Sequence, residues 1–212
     1  MTTVLVLGAA GQIARWVIEM LGGSEDLELT LYLRHARKLK GKTPPNAKII
    51  EGDVLDRRTL DPAVRGQDVI YANLTGDDID RQASSIIASM QDVGVKRLIF
   101  IASLGIYAEI PGKFGEWNRH EIGPYLPPFR KAADAIEASG LDYTILRPAW
   151  LTDADEISYE TTGRHDPFKG TEVSRKSVAA LIVECIRDPK HFARENLGVN
   201  KPNTDGDKPA FY

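Results

Sequence analysis

Val4-Leu5-Val6-Leu7-Gly8-Ala9-Ala10-Gly11-Gln12-Ile13-Ala14 is the stretch whose reading decides the fold. Its opening is a continuous apolar run, as expected of a strand buried on both faces. The run breaks at a glycine. Beyond Gly11, Ile13, Val17 and Leu21 recur at helical spacing until Gly22-Gly23 stops them. A strand that turns into a helix through G-x-x-G-x-x-A has a physical use. Gly8 permits the sharp turn, Gly11 brings backbone close to a ligand with no Cβ in the way, and Ala14 lets helix and strand pack closely. The helix starting near Gln12 then offers unpaired N–H groups and its positive dipole end to a phosphate. Gly8, Ala10, Gly11, Gln12 and Ile13 are therefore candidate phosphate-loop residues.

Outward from this turn, short apolar runs alternate with helix-period stretches. Strands are expected at Leu27–Leu33, Ala47–Ile50, Asp68–Leu74, Arg97–Ala102 and Asp142–Leu146. Helices are expected around Leu60 and Val64, over Ile79–Val93, over Phe129–Ser139, and where Val178, Leu181, Ile182, Cys185 and Ile186 share one face. Residues 105–128 carry Gly105, Pro111, Gly112, Gly115, Gly123, Pro124, Pro127 and Pro128, which reads as a loop or lid. This alternation predicts an α/β, doubly wound parallel sheet of Rossmann type with a small C-terminal substrate-side cap. The expected organisation is a single domain over 1–212, with 105–128 and 151–173 as loop or cap insertions.

The composition excludes several classes. The chain has 212 residues, 42% hydrophobic and 27% charged, with a net charge of -3. That balance does not suit a nucleic-acid binder working through a basic surface. The single cysteine, Cys185, cannot form an internal disulfide or a cysteine-paired zinc site. No apolar run reaches the ~18 residues of a membrane span, and no charged segment with an apolar core opens the chain. The expectation is a soluble cytoplasmic monomer or homodimer whose partner is a small-molecule acceptor, with no nucleic acid, membrane or metal.

The end of the second strand, about 20 residues beyond the loop, discriminates between nucleotides. It holds Arg34, in Tyr32-Leu33-Arg34-His35-Ala36-Arg37-Lys38, and no carboxylate from Thr30 to Pro45. An arginine can pair bidentately with a ribose 2′-phosphate and stack on adenine. NADP(H) is therefore favoured, with NAD(H) the alternative.

The G-x-x-G-x-x-A spacing resembles the short-chain dehydrogenase/reductase superfamily, especially its extended and atypical branches. Gly52-Asp53-Val54-Leu55 resembles that superfamily's adenine-contact segment, which implies cofactor roles for Asp53 and Val54. Asn73-Leu74-Thr75-Gly76 lies where the family's backbone passes the adenine ribose. Each is equally readable as an Asx-type turn. Lys131 and the run Ser139-Gly140-Leu141-Asp142-Tyr143-Thr144-Ile145-Leu146-Arg147-Pro148 resemble the atypical members, including the NmrA-like and flavin/biliverdin-reductase-like groups. The resemblance implies that Ser103 supports catalysis, that Lys131 holds the nicotinamide ribose, and that Pro148 and the backbone after it border the nicotinamide.

The same family places a catalytic tyrosine four residues before the lysine. Here that position is Pro127. Tyr125 is the nearest phenol, and Tyr107 is another without a spacing argument. Three readings follow: a reductase for flavin-, quinone- or carbonyl-type acceptors that draws its proton from solvent, the same enzyme with Tyr125 reaching the site, or an NADP(H)-binding redox sensor without turnover. Trp150, Trp117 and Phe114 are candidate walls for an acceptor, Trp150 equally a structural aromatic. The four histidines stand apart from one another, Asp77, Asp78 and Asp80 suit a helix start, and Cys185 suits a buried face.

Overall fold

The computed structural model describes residues 1–39, 41 and 43–212. The opening strand, β1 (Thr2–Leu7), sits inside the sheet with Val4 to Leu7 wholly enclosed, which is why the run has no polar alternation. Helix α1 (Gln12–Leu21) follows and buries Ile13, Ala14, Val17, Ile18 and Leu21. Strand β2 (Leu27–Leu33), β3 (Ala47–Glu51), α2 (Arg57–Val64), β4 (Val69–Ala72), α3 (Ile79–Val93) and β5 (Arg97–Ile101) come next. Then follow α4 (Gly112–Ile122), α5 (Leu126–Ala138), β6 (Asp142–Pro148), β7 (Trp150–Thr152), β8 (Glu160–Thr162), β9 (Glu172–Ser174), α6 (Arg175–Arg187) and β10 (Glu195–Asn200).

Among the described residues, one sheet runs β3-β2-β1-β4-β5-β6-β10-β8, and β7 pairs separately with β9. Every pairing in the large sheet is parallel except that of β10 with β8. The chain moves outward from β1 through β2 to β3, then returns to the far side of β1 with β4. That reversal opens a crevice at the C-terminal ends of β1 and β4, the place where open α/β sheets bind ligands. One apolar core joins the sheet to α1 and α6, and a second joins its other face to α2, α3 and α5. The doubly wound parallel fold expected from sequence is thus borne out.

Several elements differ from expectation, among them β8, which puts Glu160–Thr162 of the expected 151–173 insertion into the main sheet. Residues 105–128 are mostly helical. Pro111 occupies the N-cap position of α4, and Pro127 and Pro128 lie in the first turn of α5. A proline in a first turn loses no intrahelical hydrogen bond, so these breakers mark helix starts and not a lid. Strand β10 was not read at all, because Asn196, Gly198 and Asn200 disguise it. Gly198 is required there: a Cβ would fall 2.4 Å from Thr162 Oγ1 on β8 and 2.8 Å from the Phe168 ring. No helix among the described residues is long and apolar enough to cross a membrane.

Cys185 lies on α6 against β6, fully enclosed. Burial pushes its thiol up from 9.0 to about 11, against a smaller opposing pull from Arg97. The folded state therefore favours the neutral thiol, and its contribution is complete below pH 9 and lost as pH rises towards 11. In urea unfolding, the wild-type chain should lose roughly 2 kcal/mol more than Cys185→Ala across that window. Equal alkaline slopes for the two proteins would refute the assignment.

Candidate nucleotide and acceptor site

The strand-to-helix turn is held by its own backbone. Gly11 N–H donates to Gly8 O at 2.9 Å, and Arg15 N–H returns to Gly11 O at 3.0 Å. Gly8 has φ +77°, and a Cβ on it would lie 2.2 Å from the carbonyl oxygen of Asn73. Both the left-handed backbone and the lack of space demand glycine. At Gly11, a Cβ would fall 1.9 Å from the Asn73 amide nitrogen. The N-terminus of α1 has no side-chain cap, so its leading N–H groups remain free for an anion.

This turn forms one wall of a cavity of about 300 Å³. Gly8, Ala10 and Gly11 face Asn73, Leu74 and Thr75 from the end of β4, and Asp53 and Val54 from the segment after β3. Arg34, His35 and Lys38 form a basic rim just beyond β2. Arg34 is exposed and has no ion-pair partner among the described residues. Tyr32, nearly fully buried, fixes the opposite wall: its hydroxyl donates to Asp53 O at 3.0 Å and lies 2.8 Å from Thr59 Oγ1. Asp53 does both things read from its sequence context. One carboxylate oxygen accepts from Leu55 N–H at 2.9 Å, an Asx turn, while the residue still lines the cavity. Asp78 takes the N-cap position of α3, but its carboxylate accepts from Gln82 Nε2 at 2.7 Å instead of capping. Both Asp78 and Gln82 line the cavity.

A second cavity, about 510 Å³, continues from the first. Gly11, Asn73, Leu74 and Thr75 belong to both. Gln12 and Ile13 line the second one, as do Ile101, Ala102 and Ser103 at the end of β5. Tyr125, in the turn before α5, lines it too and is 61% exposed, so its phenol reaches both the cavity and solvent. Ile122, Leu126, Phe129 and Leu151 supply apolar walls, and Arg175 lines it too. The bare helix end, the glycine cradle and the basic rim fit a dinucleotide lying across β1 and β4.

The sequence profile of a family described as NAD(P)H-binding matches residues 8–189. The chain belongs to that NAD(P)H-binding family. A Rossmann-fold NAD(P)-binding family protein from Shigella flexneri is 55% identical, with a TM-score of 0.88 over 100% of both chains. A wide-type short-chain dehydrogenase/reductase from Veillonella parvula, solved in complex with NADP, is 30% identical, with a TM-score of 0.89 over 99% of each. An uncharacterised sugar epimerase of Bacillus subtilis, YhfK, is 25% identical over 97% of this chain and 95% of its own. The resemblance to short-chain dehydrogenases/reductases read from the glycine loop is borne out.

Two carried-over positions lie elsewhere in this NAD(P)H-binding chain than the resemblance implies, and the second candidate phenol lies outside the cavities. Lys131 is exposed on the α3 side of α5, where it lines a separate recess with Leu55, Asp80, Arg81 and Ser84. The face of α5 turned to the second cavity carries Phe129 instead. Pro148 is buried in the sheet opposite Val199, and the backbone donors after it are engaged: Ala149 N–H by Val199 O at 2.8 Å and Trp150 N–H by Thr171 O at 3.2 Å. Strand β10 takes the first of these donors and the residue before β9 the second. Tyr107 faces away, its ring between the guanidiniums of Arg130 and Arg164 at 4.5 and 4.1 Å and its hydroxyl 2.9 Å from Asn196 Nδ2. Burial, then the Glu137 charge, holds that phenol above its usual range. Trp117, Trp150 and Phe114 pack with one another and with Tyr212, outside the cavity.

What the Arg147-Pro148 motif does here is structural. Arg147 is wholly buried and pairs with Glu109, whose carboxylate also accepts from Gly105 and Tyr107 N–H at 2.9 Å each. Its Nε donates to Asn196 Oδ1 at 2.8 Å and its Nη2 to Gly163 O at 3.2 Å. This ties the connection after Ser103 to β6 and β10. Glu109→Ala leaves a buried charge unpaired and should destabilise the fold by about 3–5 kcal/mol in urea unfolding. The double variant Glu109→Leu with Arg147→Met should recover part of that loss, and a double variant no better than E109A would refute the reading.

Proposed function

We propose that the chain is an NADP(H)-dependent reductase acting on a small flavin-, quinone- or carbonyl-type acceptor. The observation that carries this reading is the continuity of the two cavities. One end presents Arg34, His35 and Lys38, and the other presents two hydroxyls on an otherwise mostly apolar wall. A 2′-phosphate at the first end satisfies the unpaired Arg34 guanidinium, the basis for preferring NADP(H) to NAD(H). The cofactor supplies a hydride when bound. The chain's own residues hold the dinucleotide across Gly8 to Ile13, exclude water with Ile122, Leu126 and Phe129, and direct hydroxyls at the acceptor. Tyr125 donates the proton and exchanges it with solvent through its exposed edge, while Ser103 positions the acceptor oxygen or nitrogen.

Arg34→Ala should weaken NADPH binding by about tenfold or more and leave NADH within about twofold, read by titrating fluorescence. Wild-type affinities that are equal for the two nucleotides would sink the preference. Turnover is tested by loss of NADPH absorbance against flavins, quinones and aldehydes. Tyr125→Phe should lower kcat by about a hundredfold, with NADPH affinity kept. A second reading, an NADP(H)-binding sensor without turnover, draws support from the placement of Lys131 outside both cavities. Tight NADPH binding with no oxidation by any acceptor in the panel selects it over the reductase.

A further inference from the structure

The second cavity has an uneven charge distribution. Among its described lining residues, Arg175 is the only charged side chain, and no carboxylate shares the wall. Arg175 opens α6, so the positive end of that helix reinforces its charge. Its side chain is only 17% exposed. One terminal nitrogen donates to Asp153 at 2.9 Å and, at 3.4 Å, to Leu151 O. Its Nε is buried and has no partner among the described residues. Asp153, at 79% exposure, is a solvated counter-charge and holds Arg175 weakly. A guanidinium fork with an orphaned Nε, at the edge of an apolar chamber, is built to receive a planar oxyanion.

We propose that Arg175 determines acceptor specificity: it selects an acceptor with an apolar body and a terminal oxyanion, carboxylate or phosphate. This rests on the reading of the second cavity as the acceptor site. The apolar walls hold the body against Ser103 and Tyr125, and Arg175 anchors the charge. A neutral acceptor leaves Nε without a partner and loses that anchor.

The test uses the full chain saturated with NADP⁺ and measures dissociation constants by fluorescence quenching and calorimetry. Matched probes separate the two oxyanions: flavin mononucleotide against riboflavin for phosphate, and para-carboxybenzaldehyde against its methyl ester for carboxylate. At least one charged member should bind about tenfold more tightly than its neutral partner. Arg175→Ala should bring that ratio to about one, and Arg175→Lys should restore part of it. Asp153→Asn removes the competing carboxylate and should widen the ratio by about threefold, a change that a merely structural role for Arg175 does not produce. Ratios near one in both wild-type pairs, failure of both charged probes to bind, or a preference that survives R175A would each overturn the proposal. A preference that R175A abolishes, with no NADPH oxidation by any acceptor, keeps the anion site and discards the reductase. Turnover with a charge-blind wild type does the reverse.

Discussion

At Gly8 the backbone passes the carbonyl of Asn73 with no space for a side chain, and much of the molecule is arranged around that approach. It occurs because β1 and β4 are neighbours while β2 and β3 lie on the other side, so two connections diverge from one point. The gap they leave is floored by main chain, not side chains. Main chain is what a pyrophosphate needs, since N–H groups bind it without charge or steric bulk. Any residue larger than glycine at position 8 would push β4 aside and close the crevice.

The second cavity depends on a different kind of constraint. Glu109 and Arg147 are both buried, and between them they organise the segment leaving β5, the end of β6 and the start of β10. Buried pairs of this kind contribute little net stability against an apolar replacement, but they specify one geometry. Here the specified geometry is the exit path from Ser103. Turned the other way, Tyr107 is locked by Arg130, Arg164 and Asn196 and becomes part of the same scaffold. The chain thus devotes the phenol nearest Ser103 in sequence to structure, and the one that reaches the cavity, Tyr125, comes from a short turn between two helices.

The sequence was most informative where local chemistry is self-contained. Val4 to Ala14 can be read without knowing anything else, because glycine conformation, helix start and strand burial are all local. Arg34 was legible because its distance from the loop follows from one crossover. Legibility ended where tertiary neighbours decide. Phe129 and Lys131 are two residues apart on α5, and only the packing of that helix on α3 turns one towards the cavity and the other away. Arg175 lies far along the chain and carries no motif of its own. Pro148 matched its pattern, yet Val199 and Thr171 occupy the donors beside it. The proline-rich stretch misled for the opposite reason: its breakers are compatible with first turns, and composition alone does not separate a loop from two helix starts.

Gly11, Asn73, Leu74 and Thr75 are walls of both cavities at once. A ligand that binds one arrangement of these residues better than another reshapes both cavities, and that differential affinity is what would link the two sites. Linkage is reciprocal: whatever factor the first ligand adds to the second one's affinity, the second returns to the first. The Asn73 side-chain amide lies over Gly11 in that shared wall.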